Sequence, residues 1–227
     1  MLTLTDIARY YQGPMVETIA LDAVNLSINE GEFVAVMGPS GCGKSTLLNV
    51  LGLLDSPTRG RYRWHDRDIG HWKEARRSEW RKQHIGFVFQ NFNLINELTI
   101  EENIELALLY RKVASKERRR RVADVMDQVG IAHRARHYPA QLSGGQQQRV
   151  AVARAIVGEP SLILADEPTG NLDSQQGQHI MDILSGLNQA GTTVVMVTHD
   201  AHNADHAHRT VNLFDGRIVL DNVRLAS

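Results

Sequence analysis

Gly38-Pro39-Ser40-Gly41-Cys42-Gly43-Lys44-Ser45 is the stretch that decides the fold. Five apolar residues, Phe33-Val34-Ala35-Val36-Met37, run straight into it, and helical spacing resumes over residues 45–54. A continuously apolar run suits a strand covered on both faces, so the order is strand, glycine-rich loop, helix. The eight residues fit the phosphate-loop pattern G-x-x-x-x-G-K-[ST], whose mechanics require that setting. Glycines let the backbone wrap closely enough for successive N–H groups to point at phosphate oxygens. The helix N-terminus adds unpaired donors and the positive end of its dipole. Gly38, Ser40, Gly41, Cys42 and Gly43 then line a nucleotide cradle, and Lys44 neutralises the β and γ phosphates. Ser45 offers a hydroxyl to Mg²⁺, and Thr46 assists at the α or β phosphate. A glycine-rich turn ahead of an ordinary helix would need neither the lysine nor the hydroxyl.

Outward from this loop, Val24, Leu26 and Ile28 alternate with polar residues as in a half-exposed strand, so a mixed sheet is expected. Buried-type strands recur at residues 162–165 and 193–198, each after a helical stretch, which is the rhythm of parallel strands with crossover helices. Asp215-Gly216, flanked by apolar runs, supplies the positive φ angles of a tight hairpin. Between residues 91 and 157 the strand signals vanish. There Thr99 and Glu102 have capping-box spacing ahead of Ile104 and Leu108, predicting a helical insert. No internal repeat or low-complexity linker divides the chain.

The strand at residues 162–165 ends in Asp166-Glu167. Two carboxylates at the C-terminal edge of such a strand sit where open α/β sheets bind ligands. Asp166 is expected to hold Mg²⁺, and Glu167 to polarise the water that attacks the γ phosphorus, a role worth about 10²- to 10⁴-fold. His199 follows the next buried strand and can reach the same phosphate. Alone it would read as a polar loop residue. His202 and His206 have i, i+4 spacing but lack a third ligand, and they read as a solvated helix.

Composition narrows the function classes. The 25 Lys+Arg nearly balance 26 Asp+Glu, so no cationic field gathers nucleic acid, and none is expected as a partner. Cys42 is the single cysteine, which fits a reducing compartment. A redox role for it in the loop stands beside the plainer reading of a small residue serving through its backbone. The first eleven residues do not read as a signal peptide, and no apolar run approaches the roughly 20 residues of a membrane span.

Leu142-Ser143-Gly144-Gly145-Gln146, followed by Gln147-Gln148-Arg149 and a helical run, is a second glycine-bearing helix start. Five specified positions coincide by chance on the order of once per million windows. The stretch resembles the signature of ATP-binding cassette (ABC) ATPases. That resemblance implies an α/β P-loop NTPase (RecA-like) core with mixed sheet, an antiparallel β portion and an inserted helical subdomain. Residues 1–90 and 158–227 would form the nucleotide-binding core and residues 91–157 the helical subdomain. It implies a head-to-tail homodimer around two MgATP, in which Ser143, Gly144, Gly145 and Gln146 of one copy contact the ATP of the other, Ser143 and Gly145 at its γ phosphate. Gln90 resembles the Q-loop glutamine that touches Mg²⁺ or the water. Asp173, in Asn171-Leu172-Asp173, resembles the D-loop residue that bridges protomers. Tyr11 resembles the aromatic that stacks on adenine, with neighbouring Tyr10 an open alternative.

Within the family, residues 88–94 and 165–173 look most like the lipoprotein-release (LolD) and macrolide-efflux (MacB) branch. This implies a partner permease with an extracytoplasmic domain, and a cytoplasmic subunit attached through it to the inner face of the membrane. Signalling through a transporter-like partner is the alternative. A soluble relative acting on nucleic acid would bring paired cassettes, coiled coils or zinc modules, and a GTPase would bring N-K-x-D. The basic run at residues 118–121, preceded by Lys116, reads as a solvated helix face.

Overall fold

A computed structural model describes residues 1–12 and 17–223. In chain order the elements are β1 (Leu2–Gln12), β2 (Glu17–Ile28), β3 (Phe33–Met37), α1 (Lys44–Leu51), β4 (Arg59–Trp64), β5 (Arg67–Asp68), α2 (Glu74–His84) and β6 (Ile85–Phe89). There follow α3 (Ile100–Tyr110), α4 (Ser115–Gln128), α5 (Gly144–Ile156), β7 (Leu162–Asp166), α6 (Ser174–Gln189), β8 (Thr193–Val197), α7 (Ala201–Ala204), β9 (Arg209–Phe214) and β10 (Arg217–Val223). They form two compact units, residues 1–81 with 193–227, and residues 82–192.

In the first unit, β2, β1, β4 and β5 make an antiparallel sheet in that order. The register sets Leu2 opposite Ile28 and Trp64, and Leu4 opposite Leu26 and Tyr62, so period-2 alternation buries one continuous apolar face. Strand β3 runs parallel to both β8 and β9, and its Phe33, Val34, Ala35 and Val36 are almost wholly buried, as the unbroken apolar run requires. Strands β9 and β10 form the hairpin expected around Asp215 (φ 45°) and Gly216 (φ 75°). All three tryptophans lie in this unit. Trp80 meets Trp64 and Trp72 edge-on at centroid distances of 5.8 and 5.4 Å, while Arg76 covers Trp72 at 3.7 Å.

In the second unit β6 and β7 pair in parallel, from Ile85 opposite Leu162 to Phe89 opposite Asp166. No strand occurs among residues 91–161. Helix α3 starts at the capping box its sequence announces: Thr99 Oγ1 accepts from Glu102 N–H, and the Glu102 carboxylate accepts from Thr99 N–H at 2.8 Å. Ile104 and Leu108 of α3, Val122, Val125 and Met126 of α4, and Val150 to Ala153 of α5 are buried. Buried Asn103 is satisfied by the loop ahead of α3: Ile95 N–H donates to its Oδ1, and its amide donates to the Ile95, Leu98 and Thr99 carbonyls.

The basic run lies on α4, and much of its charge is met locally. Arg118 pairs with Glu105, Arg120 with Glu117 and Asp124, and Arg121 with Glu117 and Glu159. One expectation needs correction. His202 is helical, but α7 ends at Ala204, so His206 lies beyond the helix expected to carry both, and the two rings meet edge-on at 6.1 Å. Asp200 caps this short helix through His202 N–H, and four residues leave no turn to carry the spacing further. Among the described residues no helix is long and apolar enough to cross a membrane.

Candidate functional site

The phosphate loop leaves buried β3 and enters α1 at Gly43, whose φ of 105° is left-handed. A Cβ at this position would also overlap the Ala20 carbonyl oxygen, so conformation and space both demand glycine. Leu47 N–H donates to Gly43 O at 2.9 Å and starts the helix. Lys44 is only 9% exposed. Its ammonium donates to Gly38 O and Pro39 O, each at 2.8 Å, and so is held over its own loop. Ser40, Gly41 and Ser45 are exposed, Thr46 is half-buried, and Cys42 is 4% exposed with its carbonyl accepting from Gly216 N–H at 2.9 Å.

His199 belongs to the same unit, exposed just beyond the end of β8. Tyr10 and Tyr11 are successive strand residues and leave opposite faces of β1. Tyr11 is the more exposed. Its hydroxyl donates to Asp55 Oδ2 at 2.8 Å, and Arg9 lies 4.6 Å from its ring centre.

The second unit gathers the remaining residues. Because Phe89 is opposite Asp166, Gln90 and Glu167 each lie one step past adjacent parallel strand ends. Glu167 takes a left-handed φ of 46°, an unusual conformation for a non-glycine residue and one that turns the chain sharply at the strand's end. Asn171 joins the two strand ends. Its Oδ1 accepts from Gln90 Nε2 at 3.2 Å, and its Nδ2 donates to Gln90 O at 3.0 Å and to Asn91 Oδ1 at 3.2 Å.

Ser143 caps α5 in a reciprocal pair with Gln146, leaving Gly144 and Gly145 in the first turn. A side chain at Gly145 would overlap Gln176 of α6, so the two helix starts approach closely. Asp173 caps α6 by accepting from Gln176 N–H at 2.8 Å. Buried Gln148 donates to Pro168 O at 2.6 Å and ties α5 to the segment carrying Glu167. The sequence alone assigns Asn171 and Gln148 no role. Asn171, two residues before Asp173 in the same motif, offers a signal, and nothing local marks Gln148.

Comparison with known proteins turns this arrangement into a family. The sequence model described as "ABC transporter" matches residues 21–170, more than half of the chain. An uncharacterized ABC transporter ATP-binding protein of Methanocaldococcus jannaschii, MJ1508, is 48% identical over 96% of this chain and 98% of its own. The chain belongs to the ABC transporter family. It is an ABC ATPase domain. YvrO of Bacillus subtilis, also an uncharacterized ABC transporter ATP-binding protein, is 48% identical over 97% of this ABC chain and 96% of its own. The macrolide export ATP-binding/permease protein MacB of Hyphomonas neptunium is 43% identical over 98% of this chain, which spans 34% of MacB. The solved dimer of the ATP-binding cassette MJ0796, in a post-hydrolysis state bound to ADP and Pi, superposes with a TM-score of 0.93 at 43% identity over the whole of both chains. The ABC cassette fold, mixed α/β with antiparallel and parallel strands and a helical portion, follows from that match.

Proposed function

We propose that this chain binds and hydrolyses MgATP as the nucleotide-binding subunit of an ABC transporter, two copies closing around two nucleotides and driving a separate membrane permease. One observation carries the reading: a phosphate loop opening α1 and a capped, glycine-bearing start of α5 lie in different units of one chain. Each is an anion-binding helix N-terminus, and head-to-tail pairing gives both a phosphate to hold. The division of residues 1–90 with 158–227 as nucleotide core and 91–157 as helical subdomain belongs to the same proposal.

The residue roles follow from chemistry. Lys44 and the backbone N–H groups of Gly38, Ser40, Gly41, Cys42, Gly43, Ser45 and Thr46 bind the phosphates, and Tyr11 takes the adenine face. Ser45, Asp166 and Gln90 would hold Mg²⁺, and this all-oxygen donor set suits a hard cation. Asn171 accepts from the Gln90 side-chain amide nitrogen, and the side-chain Oε1 is the Gln90 atom that would ligate a cation. Bound Mg²⁺ would neutralise charge on the phosphates. Glu167 orients and polarises the attacking water, and His199 contacts the γ phosphate. Ser143, Gly144, Gly145, Gln146 and Asp173 serve the partner copy's nucleotide.

Likeness to MacB supports a further step: the permease carries an extracytoplasmic domain and receives motion instead of passing substrate, with this subunit at the cytoplasmic face. The test of the engine is the oligomeric state of variants. Glu167→Gln should form an ATP-stabilised dimer with hydrolysis reduced by about 10²-fold or more, and Lys44→Ala should form none. A Glu167→Gln chain hydrolysing at the unmodified rate would remove that residue from the mechanism.

A further inference from the structure

We propose that the turn between β9 and β10 is a positioning element of the phosphate loop, with Arg217 and Asp22 as positioning residues acting through Gly216. The proposal rests on the ATPase reading and adds to it residues outside the motifs that touch nucleotide.

One peptide plane couples the hairpin to the loop. In a trans peptide the carbonyl of one residue and the N–H of the next point in opposite directions. The Cys42 carbonyl is drawn outward by Gly216 N–H at 2.9 Å. Its plane partner, the Gly43 N–H, is therefore aimed the opposite way, into the cradle where phosphate oxygens are to be bound. The bond from the hairpin thus selects the orientation of a donor it never touches. Without it, a plane between two residues of a glycine-rich loop is free to rotate, and a phosphate would have to bear the cost of ordering it.

The turn that supplies this bond is itself fastened twice to β2. Asp22 N–H donates to Gly216 O at 2.9 Å. The Asp22 carboxylate accepts from Arg217 Nη2 at 2.6 Å and Nε at 3.1 Å, and Arg59 adds a contact at 3.2 Å. Arg217, with Arg59 in support, holds the Asp22 carboxyl below the usual carboxylate range. Gly216 has a left-handed φ of 75°, and a Cβ there would come within 3.0 Å of Ala20 O and 3.1 Å of Leu21 Cα. A side chain at 216 would therefore push the turn off β2 and draw its N–H away from Cys42. The other end of the loop leans on the same hairpin, since a Cβ at Gly38 would overlap the Leu213 carbonyl oxygen.

The experiment measures MgADP binding to the purified full chain by titration calorimetry, because the diphosphate engages the cradle without turnover. It is paired with the melting temperature of the nucleotide-free protein and with ATP kinetics. Arg217→Ala should weaken MgADP about fivefold and raise KM for ATP in step, with kcat at saturation and the nucleotide-free melting temperature nearly unchanged. Arg217→Lys should recover most of the affinity. Gly216→Ala should weaken binding about tenfold or more. A fall in melting temperature with unchanged affinity and KM in both Arg217→Ala and Gly216→Ala would make the turn a purely structural contact and overturn the proposal. Failure of the unmodified chain to bind either MgADP or MgATP would instead refute the ATPase reading, and this proposal with it.

Discussion

Removing the Asn171 side chain tests how the strand-end residues of the second unit are held. Asn171→Ala deletes three hydrogen bonds of 3.0–3.2 Å, two of them to Gln90. The residue is exposed, so water competes for each bond and the lower end of the usual range applies, about 0.5 kcal/mol apiece. The sum is about 1.5 kcal/mol, and at roughly 2–4 °C per kcal/mol for a chain of this size the melting temperature should fall by about 3–6 °C. The activity cost should be larger than the stability cost. Gln90 loses the partner that fixes its amide, and a misoriented polar group near reacting phosphate typically costs on the order of tenfold or more in rate. Asn171→Asp provides the harsher control: it keeps an acceptor for Gln90 Nε2 but sets a carboxylate oxygen against the Gln90 and Asn91 oxygens, and should lose at least as much as Asn171→Ala. The assays are calorimetric melting and steady-state ATP hydrolysis. An Asn171→Ala chain that melts within a degree of the unmodified protein and hydrolyses ATP at the same rate would show that Gln90 is positioned by something else.

Further outcomes follow from other local structures. Thr99→Ala removes the side-chain half of the α3 capping box and should cost about 1 kcal/mol in a denaturant melt, while Thr99→Ser should cost little; equal losses in the two would discount the cap. Hydrogen bonds from Arg120 and then Arg121 pull the Glu117 carboxyl down from its usual 4.5 to about 2. An acid depressed in the folded state stabilises the fold above its unfolded pKa and loses that contribution as pH falls, here between about 4.5 and about 2. Glu117→Gln should therefore lose less melting temperature than the unmodified chain across that window, and parallel curves would refute the assignment.

The parts legible in the sequence were those whose signal is local. The run at Phe33–Met37, the phosphate loop, the Thr99 cap and the Asp215-Gly216 hairpin each declare themselves within a dozen residues, because one strand, one turn or one helix start sets their chemistry. Helix α2 was not legible for the converse reason: it buries none of its residues, so no apolar period marks it. The β1–β2 ribbon hides its register behind shifts between Leu4, Ile7, Arg9 and Tyr10, accompanied by left-handed Asp6 and Ala23, which only the pairing reveals. The histidine spacing misled, since a period of four says nothing about where a helix stops. Asn171 gained its role only when the β6–β7 register put Gln90 beside it, a fact separated by 81 residues of chain.

The clustering of Trp64, Trp72 and Trp80 also decides what light can report. Since these are the only indoles in the chain, tryptophan emission is a gauge for residues 1–81 and reports nothing directly from the helices α3, α4 and α5. Far-ultraviolet dichroism draws much of its signal from those helices. Following both during one thermal ramp makes the protein its own two-channel thermometer, and any gap between the two midpoints measures how far the two sets of residues unfold independently.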